Sequence, residues 1–288
     1  MTAPSGVFVG LATLDVVQLV ARPPARNEKT TAEQTWLAAG GPAAVAAIAF
    51  AALGGRAQLW TSLGDSPAAR VVAADLASAG VEVRDAAPPG FELAASVVLL
   101  DAASGERTVV SGSGHTPVFG TVVAPGLAGV DVVLLDGHHP ALARAVVSAL
   151  SLAGGPREVP RVPVVLDAGS HKPVFDELFG GVTDVICSAD YVHPSLAPRE
   201  LLGLGPGLVA VSHGGAPLEW WTPGSRGSVS PEPVEAVDTV GAGDVLHGAY
   251  CHALTSGLDR PDALRRAVAV ATGRVRHLGP FAWRAAIA

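Results

Sequence analysis

The feature that most constrains this chain is an alternation of short apolar runs with stretches of helical length. Val7–Gly10, Gln58–Trp60, Val81–Val83, Val130–Leu135, Val162–Leu166, Asp184–Cys187 and Leu208–Val211 have the length and composition of strands. Ala43–Leu53, Ala68–Ala79, Ala141–Leu152 and Val174–Phe179 read as helices and fall between many of them. Strands that alternate with helices pair in parallel, because each crossover returns the chain to the same edge of the sheet. The pattern therefore predicts an α/β protein with a mainly parallel sheet covered on both faces, and ligands at the carboxyl ends of its strands. With 288 residues the chain suits one large domain over 1–288.

One segment breaks the alternation. Ala94–Leu100 and Arg107–Ser111 are strand-like, and the residues between them, Asp101 to Glu106, have turn composition with no room for a helix. A hairpin inserted into a strand–helix series must project from the core. The polar, Pro-containing stretch Val16–Trp36 is its natural partner, so the reading is a small β-lid built from segments about 12–36 and 92–114. Such a lid closes over a site and excludes water.

The stretch Val237–Tyr250 carries the chemistry. Gly241 and Gly243 flank Ala242 and free the backbone to turn, and the small apolar run after Asp244 reads as a buried helix. Free N–H groups and the peptide dipoles at a helix start favour an anion, so phosphate is the natural guest of residues 241–244. A carboxylate beside an anion hole repels a phosphate that merely binds. It is useful when a hydroxyl must lose its proton while attacking phosphorus, which makes Asp244 a candidate general base.

Asp238-Thr239-Val240-Gly241-Ala242-Gly243-Asp244 resembles the C-terminal signature of the ribokinase-like (PfkB) carbohydrate kinases. Val9 to Val16, Gly40-Gly41, Gly54-Gly55 and Gly64-Asp65 follow in the order expected of that family, and Ala103 to Thr108 is closest in pattern to ketohexokinases. The resemblance implies a ribokinase-like three-layer αβα core with a β-lid, ATP and Mg2+ as cofactors, a small sugar as substrate and a homodimer formed through the lid. It implies Asp244 as base, with Gly241, Ala242 and Gly243 as anion hole. Asp15, at the end of the first strand, and Gly41 would meet the sugar, with Asn27 and Arg107 reaching in from the lid. Ser212 and Gly214 in a glycine loop, Thr239 and Lys172 would face the nucleotide. Ala267–Arg276 would pack near the adenine, and Gly279 to Phe281 would close that wall. In relatives the Asp238 region binds a monovalent cation such as K+. Ordinary roles stand beside these: a turn cap for Asp15, a strand-surface charge for Arg107, a solvated loop amide for Asn27 and a surface lysine for Lys172.

The departures matter as much. The family places asparagine after Gly40-Gly41 and ketohexokinases a second one nearby, where this chain has Pro42 and Val45. A site that has lost polar partners for a hydroxyl selects a different substrate. An Asn-x-x-Glu element is also missing from Ser188 to Ser195, so no protein ligand for magnesium is assigned, and the ion is expected to be held by phosphates and waters. His138, His139 and His171 follow strand ends without zinc-site spacing, and there is no P-loop.

The net charge of −7 and the absence of a Lys/Arg run exclude a nucleic-acid surface and favour a small-molecule substrate. Cys187 and Cys251 are too few and too distant for a disulfide framework. No apolar run approaches the roughly 20 residues that span a bilayer, and Met1–Leu14 lacks a basic start, so a cytoplasmic protein without a membrane partner is expected. Two classes remain: an ATP-dependent kinase acting on a sugar, nucleoside or sugar acid, and a sugar- or nucleotide-binding protein that has lost turnover. A nicotinamide dehydrogenase is disfavoured, since Gly-x-Gly lies far from an opening strand–helix–strand unit.

Overall fold

The computed structural model describes residues 2–112, 126–153 and 162–287. Strand β1 (Ser5–Val9) lies inside the main sheet, paired in parallel on both sides. The chain then turns out of the core. Gly10 N–H donates to the Trp60 carbonyl and Leu11 N–H to the Asp136 carboxylate at 2.8 Å. A Cβ on Gly10 would fall 2.1 Å from that carboxyl group, so glycine is required for so close a turn. Beyond it β2 (Thr13–Val20) and β3 (Gln34–Gly40) run antiparallel, outside the core. Asp15 accordingly sits within the first lid strand and not at the end of the first core strand, which corrects the sequence-based placement: the turn is complete before Thr13.

Helix α1 (Pro42–Ala52) begins with proline, whose missing N–H and fixed φ suit a first helical position. Its alanines, Ile48 and Phe50 are buried on nearly every side, as an all-apolar helix requires. Next come β4 (Arg56–Thr61), α2 (Pro67–Ser78), capped by Ser66 Oγ accepting from Ala69 N–H, and β5 (Val81–Asp85). The hairpin β6 (Ala95–Asp101) and β7 (Arg107–Ser111) joins the lid, whose strand order is β3-β2-β6-β7. This second sheet draws its strands from residues 13–40 and 95–111, and residues 113–114 of the expected second segment lie outside the described residues.

The core resumes with β8 (Val132–Leu135), α3 (Pro140–Ala153), β9 (Val164–Ala168), α4 (Val174–Leu178) and β10 (Asp184–Ser188). Strand β11 (Leu208–His213) follows, then the antiparallel edge strands β12 (Ala216–Trp221) and β13 (Arg226–Val229), and finally α5 (Ala242–Thr255), α6 (Arg260–Arg274) and α7 (Arg284–Ile287). The nine-stranded sheet has the order β13-β12-β11-β10-β9-β8-β1-β4-β5. Its inner strands are continuous valine–leucine runs because both faces are covered: α1, α5 and α6 pack on one face, α3 and α4 on the other. Both cysteines are buried. No described helix is long and apolar enough to cross a membrane.

Candidate active site

The carboxyl ends of β8 and β9 bring Asp136 and Asp167 to one side of the sheet, and α5 starts there. Gly241 is the residue before the helix, at φ 70°, a left-handed conformation that glycine takes without strain. Among the described residues no side chain caps this end. Ala242 N–H donates to Thr239 O at 3.3 Å and Val245 N–H to Gly241 O at 2.9 Å, while among the described residues no acceptor meets the N–H groups of Gly243 and Asp244. Two open donors at the positive end of a 14-residue helix make an anion site of backbone alone.

Asp244 stands beside those donors. Burial, and then the charge of Asp167, push its carboxyl up to about 7, while His247 and Arg107 pull it the other way. His247 is held from both ring nitrogens. Its Nδ1 donates to Gly243 O at 2.8 Å, and its Nε2 faces Ile186 O at 3.3 Å and Asp167 Oδ1 at 3.6 Å. The other Asp167 oxygen, Oδ2, is buried and has no partner among the described residues. A buried, acceptor-only atom of this kind awaits a donor or a cation.

The lid closes on this loop through backbone and side chain together. Gly105, in the hairpin turn, accepts from Thr239 N–H at 3.1 Å and from Thr239 Oγ1 at 2.9 Å. Arg107 Nη1 donates to Thr239 O at 3.3 Å. Thr239, expected to face the nucleotide, is thus the residue that latches the lid. On the inner face of the lid Asp15 accepts from Thr13 Oγ1 at 2.8 Å; burial raises its carboxyl above the usual range, with Thr13 and Ser96 restraining it. Asp15 and Arg107 both act electrostatically on Asp244, so the structure brings these three predicted residues together.

Gly41 has φ 95° and ψ 141°, and a Cβ there would lie 2.4 Å from Leu11 O, so the backbone approaches the turn as only glycine can. Val45, one turn into α1, places Cγ1 3.4 Å from where a Gly241 Cβ would be. The residue in the place of an asparagine therefore forms an apolar wall against the start of α5.

A cavity of about 450 Å³ opens between α6 and the chain after β13, lined by Ser228, Val229, Ser230, Val268, Thr272 and Gly273 among others. Its wall includes half of the helical segment expected near a nucleotide base, Val268, Ala269, Thr272, Gly273 and Arg276. Ser212 Oγ donates to Cys187 O at 3.3 Å, and Gly214, at φ 61°, forms the β11–β12 turn. Lys172 lies over the Phe175 ring at 5.1 Å and acts electrostatically on His138 at the end of β8, which places it on the same side of the sheet. Asn27 is not drawn in: it occupies an exposed turn at φ 62°, where asparagine is tolerated, and no described residue hydrogen-bonds to it.

His171, Asp176 and His193 approach with ligand atoms within 4.8 Å of one another. The geometry is that of a hydrogen-bonded strut. His193 Nδ1 accepts from the N–H groups of Ser195 and Leu196, so in the neutral ring Nε2 carries the proton and donates to Asp176 at 3.1 Å. His139 is buried against Thr61 and Ser62, and burial pushes it down to about 4.

Sequence reasoning missed Asp136, Asp167 and Ser96. Each aspartate closes a buried strand at its carboxyl end, a visible signal, since a charge directly after a fully apolar run in such a sheet lands in the ligand crevice. Asp136 supports the site: its carboxylate accepts from Leu11 N–H, Ala43 N–H and His138 N–H and so ties the turn before the lid to the start of α1.

The chain is similar to known proteins over nearly its whole length. Residues 4–282 match the pfkB family of carbohydrate kinases. Ribokinase of Bacillus subtilis is 25% identical over 265 residues, covering 89% of this chain and 88% of that protein. 1-Phosphofructokinase of Rhodobacter capsulatus is 34% identical over 166 residues, 53% of this chain and 51% of that one. Arabidopsis thaliana ribokinase, solved in complex with ribose and ATP, superimposes with a TM-score of 0.79 at 24% identity, over 100% of this chain and 98% of that one. A family match spanning the core, the lid and the Asp244 loop alike settles descent for the whole fold: this chain is a member of the pfkB family of carbohydrate kinases, phosphotransferases with an alcohol acceptor.

Proposed function

We propose that the protein transfers the γ-phosphoryl group of ATP to a hydroxyl of a small carbohydrate, with Asp244 as general base. The observation that carries this reading is the position of Asp244 beside the open N–H groups of its own helix start, with its carboxyl pushed up to about 7. A carboxylate poised near neutrality accepts a proton late in a loose phosphoryl transfer, when the attacking oxygen has become acidic. The sugar oxygen bonds to the γ-phosphorus, and its proton passes to Asp244. The bond to the bridging oxygen breaks, and ADP leaves with the electron pair. Gly243 and Asp244 N–H groups bind the equatorial oxygens, and the docked lid, with Arg107, keeps water out.

The cavity beside α6 has the size and partly apolar wall for an adenine and its ribose. Asp167 is the side chain whose buried, unpartnered oxygen fits a magnesium ion or a water of its shell. When bound, magnesium neutralises phosphate charge. Asp15 and Ser96 would bind sugar hydroxyls from above, and Val45 would present an apolar surface below, favouring a sugar with one face poor in hydroxyls. A second copy of the chain is the proposed occupant of the outer lid face, where Leu37, Val97 and Val110 are exposed.

The test is ADP release with ATP and Mg2+ across ketoses, aldoses, nucleosides and sugar acids, run beside Asp244→Asn. Substrate-dependent release lost in the variant supports the proposal and names the acceptor. Ligand binding by thermal shift with no release from any acceptor would replace it with a binding protein.

A further inference from the structure

The family resemblance carries a monovalent cation to the Asp238 region, but the residues there do not fit one. Arg274, the last residue of α6, turns its side chain inward and is 1% exposed, as is Asp238. Its guanidinium is ringed by oxygen: Nη2 lies 3.1 Å from Asp238 Oδ2, and Nη1 donates to His277 O at 2.8 Å and to Asp238 O at 3.3 Å. A carboxylate and convergent carbonyls are the donor set of a hard cation site. The remaining Asp238 valences are spent on Val240 N–H at 2.8 Å and Gly279 N–H at 2.9 Å. The oxygens that a free ion would need are turned onto an arginine.

We propose that Arg274 is a built-in replacement for a monovalent cation, so that this kinase works without K+. The proposal rests on residues 241–244 being the anion hole. The guanidinium and Asp238 pin both sides of the loop: Val237 N–H and Asp238 N–H donate to Val275 O, Asp238 Oδ1 holds Val240, and Gly241 follows directly. Arg274 also lies near enough to Asp244 for each to favour the other's charged form. Its role is therefore positional: it sets the loop that carries the anion hole and the lid latch Thr239, and it touches neither substrate nor the reacting atoms. An arginine gives a permanent charge where a dissociable ion gives one only when bound.

Two readouts test this on the whole protein. First, the melting temperature and turnover of the natural chain are measured in KCl, NaCl and tetramethylammonium chloride at equal ionic strength. No preference for K+ is expected in either, and the melting readout stands even if no acceptor is turned over. A saturable rise of several-fold in turnover, or a K+-specific rise in melting temperature, would overturn the proposal. Second, Arg274→Ala in tetramethylammonium should lose about tenfold or more in kcat through a displaced loop. Added K+ or millimolar guanidinium should restore it, and Arg274→Lys should retain more activity than Arg274→Ala. A folded Arg274→Ala protein with unchanged kcat, or one that neither cation restores, would sink it. If Arg274→Ala folds only with an added cation, the cage is confirmed as a cation site.

Discussion

Asp167 sits 3.6 Å from His247 Nε2 at the carboxyl end of β9, and its charge is the largest electrostatic influence raising Asp244. The pH dependence of kcat/KM should therefore show an acid limb with its midpoint near 7, where Asp244 loses its proton. Replacing Asp167 by asparagine removes a like charge, so the limb should move to lower pH even though the rate itself falls. A limb that stays in place would show that Asp167 does not act on the base.

The same displacement has a stability consequence of definite sign. A carboxyl whose folded value is about 7, against an ordinary 3.8, binds its proton more tightly in the folded protein. The stability gained is complete below the ordinary value and is lost as pH rises through about 7. Asp244→Asn cannot ionise and keeps it. The melting temperature of the variant minus that of the natural chain should thus grow from about pH 4 to about pH 7 and level off above it, and a difference constant over that range would contradict the assignment.

Much of this was legible in the sequence, for reasons that differ by element. Core strands such as Val132–Leu135 announce themselves because burial on both faces leaves no polar positions, and the start of α5 is written in Gly241 and Gly243. Strands β12 and β13 were not read as strands: residues 216–229 mix tryptophans with Glu219, Pro223 and Arg226, since edge strands need only one apolar face. The Arg274–Asp238 pair was invisible because the two residues lie in different elements, and a terminal helical arginine ordinarily faces water. Asn27 was given a substrate contact by the resemblance and a solvated loop role by its polar surroundings, and the exposed left-handed turn it occupies fits the second.

Arg107 is an exposed strand residue whose guanidinium reaches the Thr239 carbonyl. A mere surface charge would be dispensable. As part of the closed lid it should matter only when the substrates are bound, so Arg107→Ala should reduce kcat/KM about tenfold and change the stability by no more than about 0.5 kcal/mol. Steady-state kinetics beside thermal denaturation separates the two effects, and unchanged kinetics would return Arg107 to the surface.

Gly41 combines a backbone conformation closed to other residues with a contact that a Cβ would violate, 2.4 Å from Leu11 O. Gly41→Ala should cost about 1–3 kcal/mol in backbone strain, read from denaturant unfolding. It should also raise the KM for the sugar, because relief of the clash moves the turn that leads into Thr13 and Asp15. A variant as stable as the natural chain would show that the turn relaxes freely.

The outer face of the lid carries the last expectation. Strand register aligns Leu37 with Val16, Val16 with Val97, and Val97 with Val110, so these four form one apolar row across the sheet. Val110 is 70% exposed and Leu37 55% exposed. A continuous apolar row on a sheet open to water is costly unless covered, and among the described residues β3 and β7 have no strand on their outer edges. A second lid laid face to face would bury the row in both copies. Light scattering at micromolar concentration should therefore give twice the mass of the chain, and Val97→Asp with Val110→Asp should give the single mass, since opposed carboxylates at the centre of a two-fold contact repel. Because the inner face of the same sheet holds Asp15 and Arg107, the separated variant should also bind sugar more weakly than the dimer. A natural chain that is monomeric at that concentration would remove the second copy from the lid.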